Sequence, residues 1–442
     1  MQTWLWANAA DLGRGIDAGA IDPVALCEVY LAAIAAHPLR DRIYARVTDD
    51  RARAEAQAAS VRAKAGARVS PLDGVPVSWK DLFDTAGIAT EAGTALMKGR
   101  VPTQDAAVLR AATDAGLVCL GKTHMSEIAF SGLGYNPMTA TPPCVNDENA
   151  APGGSSSGAA ASVAFGLAAA AVGSDTGGSV RIPAVWNDLV GLKTTFGRLP
   201  VTGSVALCSA FDTVGPICRS VEDAALMLAA LDGAQAPEMP DLPLAGLRFA
   251  ALQTIVLDDV AEASMAGYNA ALAKLAAAGA KITPLDVPEL TRAFALSGPL
   301  YTADAYANWR DLVEAAPDAM YPQILNRVRS GKDVLAHDYL SAWAELRAIR
   351  EIYANATAPY DAVLCPGAAN MPPNVARLAT DEAYYLRENL LTLRNTRVAN
   401  LMGLASLALP TGVPSVGILV NVAGGSDHRL LRIGAAVERA LV

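Results

Sequence analysis

The stretch from Pro152 to Pro183 limits the possible folds of this chain more than any other segment. It reads PGGSSSGAAASVAFGLAAAAVGSDTGGSVRIP and contains two Gly-Gly-Ser turns, at 153–155 and 177–179. The side chains between the turns are too small for a surface helix and too apolar for a loop. This pattern predicts a buried helix at about 157–166 and a buried strand at about 168–174. Because glycine lets the backbone approach a ligand closely, each turn would present a serine hydroxyl beside bare N–H groups.

Elsewhere, helical patterns alternate with short apolar strands. We expect a helix from Asp22 to His37, and a strand from Gly74 to Trp79 that delivers Lys80 at its end. A helix at 105–115 should be followed by a buried strand at 117–121. This alternation predicts an α/β fold, with a large mixed β-sheet core flanked by α-helices.

We expect residues 1–442 to form a single domain. Within it, residues 255–358 are mostly helical in pattern and carry scattered tyrosines and tryptophans. We interpret this segment as a helical insertion that shapes a pocket. The same aromatic residues are equally typical of ordinary helix packing.

The composition argues against several classes of protein. A net charge of −9 with interspersed signs does not provide the basic stripe that a nucleic-acid binder needs. Six cysteines without a CxxC pair favour a reduced, cytoplasmic protein, and four well-separated histidines argue against a His/Cys zinc site. No secretory signal and no apolar run of membrane-spanning length is evident, so we expect no membrane partner.

Two short motifs suggest other functions. Residues 116–123 formally match a Walker A motif, but their Leu-Val-Cys-Leu belongs to an expected strand, whereas a P-loop needs a loop there. Gly154–Gly158 matches G-x-S-x-G, which would make Ser156 the nucleophile of an α/β-hydrolase-type serine esterase. That motif needs a preceding strand and a late histidine. The preceding residues are loop-like, and the late histidine, His428, lies in a polar turn.

The two serine turns need a base if they carry chemistry. A serine hydroxyl is a poor nucleophile until a base takes its proton. Without a plausible histidine, the remaining candidate is a lysine whose pKa is lowered by burial, and Lys80 ends an apolar strand.

At this point the sequence resembles the amidase signature hydrolases over nearly its whole length. The matching segments are Gly74–Asp81, Gly121–Thr123, Pro152–Ser156, Asp175–Pro183, Asp212–Pro216 and Arg219–Asp223. The Gly-Lys-Thr segment of this family also accounts for the Walker A match.

The resemblance implies a hydrolase that cleaves a C–N bond without a metal or cofactor. Ser179 would be the nucleophile, Ser155 the bridging serine after a cis peptide bond from Gly154, and Lys80 the base. The oxyanion hole would consist of backbone N–H groups, those of Thr176, Gly177, Gly178 and Ser179.

Family position also suggests residues that contact the substrate. Phe130, Ser131 and Tyr135 would line the acyl pocket. Arg181 is a candidate for binding a substrate carboxylate, although we favour a pair with Asp175 that braces the second turn.

The substrate would be a small-molecule amide or carbamate. The aromatic residues of 255–358 suggest an uncharged, partly apolar compound, an aryl amide or a carbamate (urethane), and some family members act on esters. The protein would be a monomer or homodimer.

Some positions depart from the family pattern. His124 and Cys144 stand where asparagines are common, Ser157 replaces a glycine, and Ala405 stands where a proline is common. Together with the acidic balance, the first two argue against an amidotransferase subunit that acts on charged tRNA with partner subunits. A non-catalytic partner protein is a further alternative, against which the intact Lys80 and the two serines speak.

Overall fold

Short strands rich in Ala, Val, Leu and Gly assemble into one mixed sheet. A computed structural model describes residues 2–441, and within that range the sheet has eleven strands. The strands are β1 Tyr44–Val47, β2 Pro76–Lys80, β3 Val118–Thr123, β4 Ala170–Asp175, β5 Val190–Lys193, β6 Thr213–Cys218, β7 Arg248–Leu252, β8 Lys281–Leu285, β9 Ala362–Pro366, β10 Ala405–Pro410 and β11 Gly417–Val422.

The order across the sheet is β1-β3-β2-β4-β6-β5-β10-β11-β9-β7-β8. Strands β3, β2 and β4 are parallel, and so are β9, β7 and β8, while the strands between these two groups run antiparallel. Strands β2, β4 and β6 are buried at every position, because helices cover both faces of the sheet. The two edge strands, β1 and β8, are less buried than the strands inside the sheet.

Fifteen α-helices surround the sheet in the described part of the chain. They are α1 Ala9–Asp17, α2 Pro23–Ala36, α3 Arg40–Ile43, α4 Asp49–Lys64, α5 Ala107–Asp114, α6 Ser157–Ala164, α7 Arg181–Trp186, α8 Val221–Asp232, α9 Glu262–Ala277, α10 Glu289–Ala315, α11 Pro322–Arg329, α12 Ala336–Thr357, α13 Val375–Thr380, α14 Glu382–Met402 and α15 Asp427–Leu441. Between residues 2 and 441, none of them is long and apolar enough to cross a membrane.

The predicted α/β fold is confirmed, with boundaries shifted by a few residues. Helix α2 begins after Asp22, whose carboxylate caps it by accepting a hydrogen bond from the N–H of Val24 at 3.0 Å. The small-residue stretch forms α6 and then β4, as its pattern indicated. The strand before Lys80 begins at Pro76 and includes the lysine itself.

Residues 255–358 contain four helices, α9 to α12, and also strand β8. This strand pairs in parallel with β7 and so extends the sheet, which the helical pattern alone did not indicate. Two of its helices, α10 and α11, each place a side chain beside Ser179, where a substrate pocket is predicted.

Helix α15 packs closely on the sheet, and this packing should be a large part of the stability. Leu407 of β10 is fully buried, and a Cβ placed on Gly434 of α15 would stand only 2.2 Å from its Cδ2. We expect Leu407→Ala to lower the free energy of unfolding by about 2–5 kcal/mol, measured by urea denaturation. The control is Leu340→Ala, at a leucine that is 66% exposed, which should change it by less than about 0.5 kcal/mol. Equal effects would contradict this account of the core.

Candidate active site

Lys80 lies at the carboxyl end of β2 with its ammonium group directed at two serines. Its Nζ is 2.7 Å from Oγ of Ser155 and 2.8 Å from Oγ of Ser174. The side chain has no solvent exposure. Strands β2 and β4 are parallel neighbours, so their carboxyl ends meet at one edge of the sheet, where Lys80 and Asp175 both stand.

Burial changes the acid–base behaviour of Lys80. Removal from water disfavours its charged form and lowers its pKa from the usual range to about 7, although the negative charges of Asp212 and Asp175 oppose the shift. A lysine with a pKa near 7 is partly neutral at physiological pH. It can therefore accept a proton from the serine beside it.

The segment that carries Ser155 is fixed to β4 by the next serine. The peptide bond from Gly154 to Ser155 is cis. Oγ of Ser156 accepts a hydrogen bond from the N–H of Ser174 and donates one to its carbonyl, both at 3.2 Å. Gly173 makes room for this contact, because a Cβ there would stand 2.5 Å from Oγ of Ser156.

The turn after β4 has each of its first three carbonyl oxygens held by a hydroxyl group. Thr213 donates to the carbonyl of Asp175 at 2.6 Å. Tyr301, from α10, donates to that of Thr176 at 3.0 Å. Thr396, from α14, donates to that of Gly177 at 2.8 Å.

Each anchored carbonyl fixes the direction of the N–H of the next residue, which lies in the same peptide plane. The carbonyl of Gly178, whose plane contains the N–H of Ser179, is held by the N–H of Ile182 at 2.8 Å. Within residues 2–441, the N–H groups of Thr176, Gly177 and Ser179 donate to no protein acceptor, as an oxyanion hole requires. The N–H of Gly178 differs from expectation, because it donates to Asp175 Oδ1 at 2.8 Å. The predicted oxyanion hole therefore has three free N–H donors instead of the four that we expected.

Asp175 and Arg181 form a fully buried ion pair that braces the turn. Nη2 and Nε of Arg181 lie 2.9 and 3.0 Å from the two carboxylate oxygens of Asp175. Arg181 also donates to the carbonyl of Thr396 at 2.6 Å and to the side chain of Asn400 at 2.6 Å. The side chain of Asn400 in turn donates to Asp175 at 2.9 Å.

These contacts assign the charge of Arg181 to the brace rather than to a substrate. Burial by itself would raise the pKa of Asp175, but the charge and hydrogen bonds of Arg181 hold it well below its usual range. The carboxylate is thus ionised and paired. Arg181 does not line the cavity at Ser179, so the expected substrate contact of this residue is not supported by the geometry.

A small cavity that is partly open to solvent lies beside the predicted nucleophile, Ser179. Its walls include Phe130 and Ser131, as the family position suggested. Tyr135 does not line it. Instead, the Tyr135 ring packs edge-to-face with Tyr321 and Tyr385, at centroid distances of 5.7 and 6.4 Å.

Several residues at the site carried no signal in the sequence. Tyr301 was visible only as one of many scattered aromatics, and the hydroxyl of Thr396 sits in a helix with no recognisable motif. Two cavity arginines, Arg327 and Arg397, were also missed. Asp212 belongs to a matched segment, but its bond from the Thr176 hydroxyl, at 2.5 Å, was not foreseen.

The structure also places the residues of the two competing motifs. Residues 118–123 form strand β3 rather than a loop. Lys122 is buried, and its Nζ lies 3.2 Å from Asp81 Oδ1 and 2.7 Å from the carbonyl of Phe83. Both features disfavour a P-loop.

The nucleophile-elbow alternative does not fit the geometry of Ser156. That hydroxyl is buried and engaged with β4, as described above. His428 is in α15, where its ring contacts Arg198 at 3.4 Å. The two residues are therefore held by different partners.

His124 and Cys144, two of the four departures from the family pattern, lie outside the Ser179 cavity. The backbone of His124 bonds to Ile43 and Gly158, and burial lowers the pKa of its ring. The thiol of Cys144 is buried, 3.2 Å from the carbonyl of Trp186. Within the described residues, no group of three or more His, Cys, Asp and Glu side chains is arranged to hold a metal ion.

The fold and these residues define a class of hydrolase, and comparison with known proteins identifies the family. The family model for amidases matches residues 25–431. The chain therefore belongs to the amidase signature family, whose enzymes hydrolyse C–N bonds.

Relatives span most of the chain. This chain is 35% identical in sequence to 2-amino-5-chloromuconic acid deaminase of Comamonas testosteroni, and the match covers 90% of this chain and 89% of that protein. It is 30% identical to a glutamyl-tRNA(Gln) amidotransferase subunit of Thermobifida fusca, over 100% and 97% of the two chains. Among solved structures, the peptide amidase of Stenotrophomonas maltophilia shares 26% identity, covers 98% of this chain and 96% of its own, and gives a TM-score of 0.85.

The brace should be tested by removing one of its charges. Arg181→Leu leaves the carboxylate of Asp175 buried without its cation, so we expect the free energy of unfolding to fall by about 3–5 kcal/mol in urea denaturation. The control is Arg53→Ala, which breaks an exposed pair with Glu28 at 2.7 Å and should have little effect, because exposed ion pairs contribute little to stability. A cost for Arg181→Leu as small as that of the control would mean that the brace contributes little.

Proposed function

We propose that this chain hydrolyses the C–N bond of a small-molecule amide through an acyl-enzyme on Ser179, with Ser155 as a proton relay and Lys80 as the base. The observation that carries the proposal is the buried Lys80, whose pKa is lowered to about 7 and whose Nζ lies 2.7 Å from Ser155. A charged lysine could not accept the proton, and a histidine is not needed.

In the first half-reaction Lys80 takes the proton of Ser155 while Ser155 takes that of Ser179. Oγ of Ser179 then bonds to the carbonyl carbon of the amide. The negative charge moves to the carbonyl oxygen, where the free N–H groups of Gly177 and Ser179 can stabilise it; a donor of this kind is worth about 3–4 kcal/mol in the transition state.

The relay then runs in reverse. The C–N bond breaks as Ser155 gives a proton to the leaving nitrogen, and Lys80 returns a proton to Ser155. This protonation is needed because an amide leaves poorly as an anion. In the second half-reaction water replaces the amine, gives its proton to the same relay and releases the acid from Ser179.

The sequence also suggested particular classes of substrate, and we include them in this proposal. Aryl amides, carbamates and esters are all carbonyl compounds that Ser179 could attack. Tyr301 and Arg327, which line the cavity, come from the 255–358 segment and support its role in shaping the site. A panel of amides, anilides, carbamates and esters assayed with the same enzyme distinguishes these classes.

A second candidate is an amidotransferase subunit that works with partner subunits. The whole-length similarity to a glutamyl-tRNA(Gln) amidotransferase subunit favours it. It predicts that glutamine is hydrolysed poorly by the isolated chain and faster with added partner subunits. Efficient turnover of other amides by the chain alone would favour the first proposal.

The nucleophile can be identified by intact-mass spectrometry after treatment with a small fluorophosphonate. We expect one adduct on the wild type and none on Ser179→Ala, because only an activated serine attacks the reagent. Ser156→Ala is the matched control and should keep the adduct if it is folded. An adduct that persists in Ser179→Ala and vanishes in Ser156→Ala would overturn the assignment.

The pH dependence tests the base. Lys80 must be neutral to accept a proton, so kcat/KM for a neutral amide should rise with pH through an apparent pKa of about 7 and then level off. Below that pH the lysine is protonated and the relay is blocked. Lys80→Met should lose activity by ~10²–10⁴-fold, with no such rise. A rise near pH 7 of the same form in Lys80→Met would assign the titration to another group.

A further inference from the structure

The cavity beside Ser179 contains two positive charges and no negative one. Besides Ser179 and Gly177, its described walls include Phe130, Tyr301 and the two arginines, Arg327 and Arg397. Most of these are apolar or weakly polar, so the two arginines dominate the electrostatics of the space. Their presence is unusual for a pocket that only binds uncharged compounds, because a half-buried cation without a counter-charge is costly.

Arg327, on α11, is held in place by neutral partners. Its Nη1 donates to the carbonyl of Phe130 at 2.9 Å, and its guanidinium lies 4.3 Å from the centre of the Phe130 ring. Burial, together with the nearby charge of Arg397, lowers its pKa to about 10. No carboxylate in the described part of the chain forms an ion pair with it.

Arg397, on α14, has a guanidinium group whose hydrogen-bonding capacity is also largely unused. Its Nη1 donates to the hydroxyl of Ser297 at 3.2 Å, and its guanidinium lies 5.7 Å from the centre of the Tyr301 ring. Its Nε is buried and has no hydrogen-bond partner among residues 2–441. That Nε lies 4.0 Å from the point where a Cβ on Gly177 would stand, so it faces the turn that carries Ser179.

The contrast with Arg181 shows what these two arginines lack. Arg181 is buried nearby in the same turn and is neutralised by Asp175. Arg327 and Arg397 lie close enough for the charge of one to lower the pKa of the other, and neither has an anion. An arginine has five N–H donors in a planar fork that fits a carboxylate well, and most of those donors are unused here.

The position of the cavity indicates which part of a substrate would meet the arginines. It touches the nucleophile and Gly177 of the oxyanion turn, but none of Lys80, Ser155 and Ser174. The leaving nitrogen must be near Ser155 to receive its proton. The cavity therefore holds the part that stays on Ser179, which is the acyl group.

We propose that Arg327 and Arg397 bind a carboxylate on the acyl group, so that the preferred substrates are amides of short dicarboxylic acids. This inference rests on the proposed function and narrows it. The cavity beside Ser179 is small, so an acyl chain that enters it must be short. The proposal departs from the uncharged, partly apolar substrate that the aromatic residues of 255–358 suggested, and one set of substrates decides between them.

The test compares succinamate with 4-oxopentanamide, in which a methyl group replaces one carboxylate oxygen. The two amides have similar size and the same reacting group, so a difference reports the charge. We expect kcat/KM to be at least tenfold higher for succinamate, as expected for hydrogen bonds between charged groups. A value for 4-oxopentanamide equal to or above that for succinamate would overturn the inference while leaving the proposed function intact.

Variants identify the groups responsible. Arg327→Gln and Arg397→Gln should each reduce the preference for succinamate by roughly tenfold or more, mainly through a higher KM. Arg394→Gln is the matched control. Arg394 is on the same helix, half-buried and also without a carboxylate partner, but it does not line the cavity. A preference that survives both cavity variants, or that falls equally in the control, would contradict the proposal.

A measurement on the unmodified protein covers the case in which the variants do not fold or neither amide reacts. Succinate should protect Ser179 from the fluorophosphonate, whereas butane-1,4-diol, which has the same chain length but neither a charge nor an acyl group, should not protect it at equal concentration. Labelling of Ser179 that succinate does not slow would overturn the carboxylate proposal. Labelling that is unaffected by Ser179→Ala would instead overturn the proposed function, so the two failures are distinct.

Discussion

The buried ion pair between Asp175 and Arg181 holds the turn on which the rest of the site depends. Asp175 ends β4, and its carboxylate accepts hydrogen bonds from Gly178, Val180 and Arg181, so the chain must curl back on itself over six residues. Arg181 extends the same network to the carbonyl of Thr396, on α14. A pair buried this deeply contributes little net stability compared with apolar packing, but loss of one partner leaves an uncompensated charge. We infer that its main effect is to fix the position of Ser179 and the neighbouring N–H groups.

Burial has the opposite consequence for Lys80, which has no paired carboxylate at hydrogen-bonding distance in the described chain. Its neighbours are the hydroxyls of Ser155 and Ser174, and desolvation therefore favours the neutral amine. The same sheet edge thus holds the carboxylate of Asp175, which is ionised and paired with Arg181, and the amine of Lys80, whose neutral form is favoured by burial. In the proposed mechanism, this difference lets Lys80 act as the base near neutral pH without a histidine.

The sequence predicted those parts of the site that are encoded locally. The strand before Lys80, the small-residue helix and the glycine turns follow from hydrophobic periodicity and motif, and the structure contains them all. Tyr301, Thr396, Arg327 and Arg397 could not be predicted, because they come from helices more than a hundred residues further along the chain and reach the turn only through tertiary packing. Likewise, Lys122 resembles an ordinary solvated lysine in the sequence, since nothing local shows that Asp81 pairs with it in the core.

The central claim is that Lys80 is neutral near physiological pH, and its Nζ resonance tests this most directly. Protein labelled with ¹⁵N-lysine should show a resonance that titrates near pH 7 and that is absent from the spectrum of Lys80→Met. Lys193, whose pKa burial also lowers to about 7, is separated by the corresponding Lys193→Met spectrum. A Lys80 resonance that remains that of a charged ammonium group above pH 9 would contradict the account, because the relay would then have no base.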